Sequence, residues 1–164
     1  MKAARPPKKT KNMVEFLAED IEMPSWIKRA GVYVNKVLSG LNIENWELSI
    51  LFCSNRYIKT LNRQYRNVNE ATDVLSFSMG EKNKDGSFMA GDIIISLDAL
   101  EENERLFSVD IDEELRRLLI HGILHLSGED HKSNAKNEPM IIKQEEILLK
   151  IDYDIIDSCL VEVL

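Results

Sequence analysis

Two hydrophobic periods alternate along the chain, and the switches between them mark out its elements. Met13-Val-Glu-Phe-Leu-Ala18 reads as a short first strand, with a turn over Asp20 to Pro24. Pro24 and Ser25 then open a helix in which Trp26, Ile27, Ala30, Val34 and Val37 or Leu38 recur at three- and four-residue steps, and Gly40 closes it. Trp46 to Cys53 alternates and then turns continuously apolar, as a strand does on running into a covered sheet. Ser54 is a good N-cap for a helix from Asn55 to about Tyr65. Its spacing puts Ile58, Leu61 and Tyr65 toward the core and Arg56, Lys59, Arg63 and Arg66 on one basic stripe.

The second half continues in the same manner. Asp73 to Ser78 is a strand candidate, Gly80 to Gly86 a polar loop or hairpin turn centred on Asp85-Gly86, and Gly91 to Ser96 a fourth strand. The three consecutive isoleucines of that strand predict burial on both faces. Leu97 to about Phe107 reads as a helix. The next helix has Asp112 and Glu113 in its first turn, where negative charge suits the dipole. Its Leu115, Leu118, Leu119, Ile120, Ile123, Leu124 and Leu126 cover most of its circumference, which marks it as central to the fold. A further helix begins around Pro139, with Met140, Ile141, Ile147 and Leu148 inward, and the last dozen residues are ambiguous between helix and strand. The expected fold is a single α+β domain: a mixed sheet of about four strands packed with helices, one of them buried.

Composition narrows the class. A chain of 164 residues, 30% charged and 44% hydrophobic, fits one soluble globular domain with a real core. Two cysteines, Cys53 and Cys159, make no disulfide framework and no CxxC pair, which favours a reducing compartment. No apolar run is long enough to span a membrane, and no apolar segment with a cleavage site follows the basic N-terminus, so a cytoplasmic location is expected. The net charge of −7 argues against indiscriminate nucleic-acid binding. Residues 1–12 carry Lys2, Arg5, Lys8, Lys9 and Lys11 without an acid, and read as a solvated, disordered tail or cloning remnant ahead of a domain over 13–164.

The densest chemistry lies on the apolar helix and just beyond it. All three histidines fall between Leu119 and His131. His121 and His125 are one helical turn apart, and Gly128 could end the helix in a left-handed residue that folds His131 back toward them. Three neutral imidazoles with an open fourth position make a catalytic type of zinc site, although imidazoles also suit Ni, Cu and Fe. The plainer alternative is a set of hydrogen-bonded core histidines. The spacing equals that of the long zinc motif of metzincin proteases, yet the residue after the first histidine is Gly122 where those enzymes carry a Glu base. Peptide hydrolysis by that route is therefore disfavoured.

The block His121-Gly-x-Leu-His-Leu-x-Gly-x-Asp-His131, with Tyr65-Arg-x-x-x-x-x-Thr-Asp-Val-Leu-Ser-Phe77 and Gly91-Asp-Ile upstream, resembles the YbeY family of bacterial rRNA maturation factors. The likeness runs from about Val14 to Lys150. It implies a zinc-dependent, single-strand-specific endoribonuclease of rRNA maturation and ribosome quality control, partnered by rRNA and by the ribosome or its proteins, with no DNA expected. It also implies zinc on His121, His125 and His131, and action of Arg66 on the RNA. A guanidinium gives a phosphate a planar fork of donors and stays charged at any working pH. Arg56, Lys59 and Arg63 would extend the substrate path from Arg66. Glu129 stands where the family usually has Tyr. Glu129 and Asp130 could orient a histidine N–H or accept a proton, and Asp130 could equally be a turn residue. Asp73 reads as a residue that ties the start of its strand, and Met140 as core beneath the metal. Two rival readings are a ribosome-associated assembly factor with a structural metal, and a metal-dependent hydrolase of another bond.

Overall fold

The computed structural model describes residues 11–156. It contains four strands, β1 (Met13–Glu19), β2 (Trp46–Cys53), β3 (Val74–Lys82) and β4 (Phe88–Ser96). The helices are α1 (Ile27–Gly40), α2 (Asn55–Arg66), α3 (Leu97–Phe107), α4 (Ile111–Leu126) and α5 (Pro139–Lys150). The strands form one sheet in the order β1-β2-β4-β3, with β1 and β4 parallel to β2 and β3 antiparallel to β4. The fold is thus the expected α+β domain with a mixed sheet.

The sheet's two faces are built differently. On one, α1, α4 and α5 contribute to a large apolar core that includes Tyr33, Leu38, Ile50, Phe52, Ile93, Ile95, Leu115, Leu119 and Ile123. On the other, α2 covers a small cluster of Cys53, Ile58, Leu75 and Ile94, with Tyr57, Leu61 and Phe77 packed at its margin. Ile93, Ile94 and Ile95 point alternately into these two clusters, so all three are buried as their run predicts. Burial of Cys53 pushes its thiol up to about 12, and its S–H faces the Ile95 carbonyl at 3.6 Å. Cys159 lies outside the described residues.

Helix α4 is held at both ends. Asp110 caps it through the Asp112 N–H. The buried Asp112 does more than complement the dipole: it accepts from Arg116 Nε at 2.8 Å and from the N–H groups of Ile155 and Ile156 at 2.8 and 2.7 Å, which ties the chain after α5 to the start of α4. Along its flank Arg117 pairs with Glu113, Glu114 and, across to α5, Glu145. Gly122 sets the depth of α4 on the sheet, since a Cβ there would lie 2.7–2.9 Å from three side-chain carbons of Ile93. A residue larger than Gly has no room between this turn and β4.

The structure corrects three details of the sequence reading. The loop or hairpin turn expected over Gly80 to Gly86 is a hairpin turn around Asp85-Gly86, but a shorter one: Gly80–Lys82 belongs to β3 and the turn is confined to Asn83–Ser87, closed by Asn83 N–H to the Ser87 carbonyl at 2.8 Å. This end of the hairpin is solvated on both sides, so apolar alternation does not reveal it. Tyr65, expected in the core, is 63% exposed and meets Phe77 edge-to-face at 5.3 Å. The helix inserts Asn62 there, its Nδ2 donating to the Glu70 carbonyl at 2.9 Å. The basic tail falls almost wholly outside the described residues, but Asn12 at its end belongs to the domain: it donates to the Ile43 carbonyl and accepts from the Trp46 N–H, both at 2.9 Å. Among the described residues no helix is long and apolar enough to cross a membrane.

Candidate metal centre and its cavity

Helix α4 presents His121 and His125 on one face, and the turn that ends it brings back His131. Gly128 has φ +98°, its N–H donates to the His125 carbonyl and the Glu129 N–H to the Leu124 carbonyl, both at 3.0 Å. That pair of bonds is a Schellman turn, which glycine completes without a Cβ penalty. The three imidazoles converge, with ring centroids 4.6, 5.0 and 5.2 Å apart and one ligand nitrogen from each within 4.8 Å of the others.

The outward nitrogen of each ring faces an acceptor. His121 Nδ1 meets Gln144 Oε1 at 2.7 Å, His125 Nδ1 the Glu129 carbonyl at 3.1 Å, and His131 Nδ1 the Ser133 carbonyl at 2.9 Å. The Gln144 amide is oriented by its own donation to Glu145 Oε1. Acceptors on all three Nδ1 atoms fix the proton there and leave Nε2 as a lone pair. His121 and His125 oppose these lone pairs at 3.1 Å. The distance is close to the roughly 3.3 Å between two nitrogens each bonded to one tetrahedral ion. Facing lone pairs repel unless a cation lies between them, so the donor set fits a single metal ion. Burial holds the His121 pKa below the ordinary imidazole value, opposed by the Gln144 bond and reinforced by His125 and His131. Burial lowers His125 as well, and the His131 and Arg66 charges push it the same way. Both rings are therefore kept in the neutral form that binds metal.

The histidines open into a cavity of about 800 Å³ that also takes in Tyr65, Arg66, Asp73, Ser76, Phe77 and Asn134. Arg66 ends α2, with Asn67 in the left-handed conformation just after it, and Arg66 lines the cavity. The rest of the basic stripe is elsewhere. Lys59 and Arg63 lie outside the cavity lining, and Arg56 is bound to Asp20 through Nε and Nη2 at 3.1 and 2.6 Å. The Asp20 carboxyl is correspondingly held below its usual range by Arg56 and Ser54.

Glu129 and Asp130 also line the cavity, but neither carboxylate bonds an imidazole. Asp130 accepts the His131 backbone N–H at 2.8 Å, the turn role, and Glu129 accepts Lys143 Nζ at 2.9 Å. The three imidazoles are oriented by groups the sequence reading missed: Gln144 and two backbone carbonyls. Gln144 left a signal, being the polar member of the buried series Met140, Gln144, Leu148 on α5, whereas carbonyls leave none. Asp73 ties the start of β3 as expected, its carbonyl accepting from Ser96 N–H at 3.0 Å, and Asp73 also lines the cavity that holds His121. Met140 is buried in the core.

Fold and site define a single α+β domain whose central helix, with the turn that follows it, presents three histidines able to hold a metal ion at an open cavity. The chain belongs to the family described as endoribonuclease YbeY, whose profile matches residues 13–152. Curated relatives of that name come from Treponema denticola, 49% identical over 72% of this chain and 79% of its own, and from Treponema pallidum strain Nichols, 45% identical over 84% and 88%. A solution structure of TM1509 from Thermotoga maritima superposes with a TM-score of 0.61 at 30% identity, covering 83% of this chain and 87% of that one.

Proposed function

We propose that this protein is a metal-dependent endoribonuclease of single-stranded RNA, with zinc as its metal and rRNA maturation, including small-subunit processing and ribosome quality control, as its setting. The observation that carries the reading is the convergence of three imidazole lone pairs and one guanidinium on a single cavity, in a chain whose relatives bear the name endoribonuclease. Zinc suits three imidazoles with one open position, and when bound there it would supply an activated water near neutral pH and polarise a phosphoryl oxygen. His121, His125 and His131 hold it, each steered by its Nδ1 partner.

Arg66 binds the scissile phosphate and offsets the charge that develops on it, a role that a permanently charged planar donor fills better than lysine. Lys59 and Arg63 continue the path along α2, and among the described residues neither has an ion-pair partner. Arg56, its charge already matched by Asp20, contributes least. Asp73, Glu129 and Asp130 are the carboxylates at hand for proton transfer, because Gly122 provides no base and its position faces Ile93. A protein engaged on rRNA would meet the ribosome or its proteins in the cytoplasm.

The test is cleavage of single-stranded and structured rRNA fragments by wild type, His125→Ala and Arg66→Ala, with chelator controls and elemental analysis of the purified protein. Cleavage lost with chelator and in both variants is the expected result. Undiminished cleavage by His125→Ala would assign the activity to a contaminant and sink the proposal.

A further inference from the structure

The cavity is not confined to the metal's side of the sheet. Val74 packs with the large core beneath α4, while Leu75 and Phe77 pack with the cluster beneath α2. The cavity touches all three and continues from the histidines to Tyr65 and Arg66 on α2. Because β3 is an edge strand, the cavity wraps around that edge, with the candidate metal centre on one face and Tyr65 on the other. Tyr65 is 63% exposed, so its contact with Phe77 props the ring and leaves most of it in solvent. The ring is adjacent in sequence to the arginine proposed to hold phosphate.

We infer that Tyr65, propped by Phe77, forms a nucleobase subsite that stacks one unpaired base of the RNA next to the phosphate on Arg66. The inference rests on the endoribonuclease reading and deepens it by locating a source of single-strand selectivity. An exposed aromatic face beside a cation is the arrangement on which unpaired bases stack, whatever their sequence. A base inside a duplex is already stacked and paired, and a duplex cannot fold around a strand edge to reach both faces. Selectivity for single strands thus follows from topology together with one aromatic ring.

Binding of a short fluorescent single-stranded RNA with cleavage-resistant linkages, and of its duplex, measured by anisotropy on the protein as purified with its metal, tests the inference in Tyr65→Ala, Tyr65→Leu, Tyr65→Phe and Tyr65→Trp variants. Loss of the ring should weaken single-strand binding on the order of 10- to 100-fold, the range of one stacked base, and leave duplex binding unchanged. Phe and Trp should restore it. Leu, which can still pack on Phe77, should not. The salt dependence of binding should be the same in Tyr65→Ala as in wild type, whereas Arg66→Ala should flatten it by about one phosphate contact. Full binding by folded Tyr65→Ala, or rescue by Leu, would overturn the subsite while leaving the nuclease reading intact. A wild-type protein that neither binds nor cuts RNA would overturn both.

Discussion

The two faces of the sheet carry unequal amounts of core, and the difference explains where the chemistry sits. Under α4 the core is broad and deeply buried, and it fixes a helix whose two histidines need accurate placement. Under α2 it is a small cluster whose margin leaves Tyr65 and Arg66 near solvent. The heavily packed face supplies rigidity, and the lightly packed face supplies accessible groups for a ligand. They meet at β3, the edge strand that lines the cavity.

This contrast can be broken deliberately, beginning on the rigid side. His125→Ala should lose metal binding and with it essentially all cleavage, read by elemental analysis and RNA assay. A variant that keeps one equivalent of metal would mean different ligands. Arg66→Ala should lower kcat about 10²- to 10³-fold with metal content unchanged, as expected for one lost donor to developing charge. Arg66→Lys should recover only part, since its ammonium cannot form the planar fork. Gln144→Ala leaves the His121 N–H without its acceptor and should weaken metal affinity about 10- to 100-fold, measured by competition with a chromogenic chelator.

Smaller effects sharpen the comparison. Gly122→Ala pushes a methyl into Ile93, and overpacking of about 1–3 kcal/mol outweighs the roughly 1 kcal/mol of helix propensity regained, so the melting temperature should fall. Tyr65→Ala on the other face should barely move it. Acid should act through the histidines of the metal-free protein. The folded pKa values of His121 and His125 lie below the unfolded value of about 6.5, so the unfolded chain binds more protons between them. The stability they contribute is present above about pH 6.5 and lost as pH falls toward the lowered folded values. Denaturant titrations at pH 7.5 and 5.5 should show a larger drop for wild type than for a His121→Gln, His125→Gln double variant.

Most of the fold could be read from the chain because its apolar periods are strong. The residues of α4 and the isoleucines of β4 declare their burial by period alone. The solvated end of the hairpin escaped because no core imposes alternation on it. Tyr65 was misplaced because helical spacing shows which residues share a face, but not how far the sheet extends beneath that face. Strand order and the meeting of α2 with α4 around β3 are products of long-range pairing, invisible to local pattern. In the site, the three histidines were legible from their spacing. Their hydrogen-bond partners were not, apart from the trace left by Gln144, because they come from α5 and from backbone carbonyls.

The turn at Gly128 divides the three histidines between a helix and the connection that follows it. His121 and His125 ride on one clamped helix and would chelate an ion as a pair, while His131 belongs to the connection between α4 and α5. An ion held by all three would be released most readily from His131, the histidine outside the helix. Residence time of the metal would then be governed by that connection and not by the helix. The Glu129–Lys143 ion pair, which ties the connection to α5, would act as a brake on exchange, unrelated to the equilibrium preference for one metal over another.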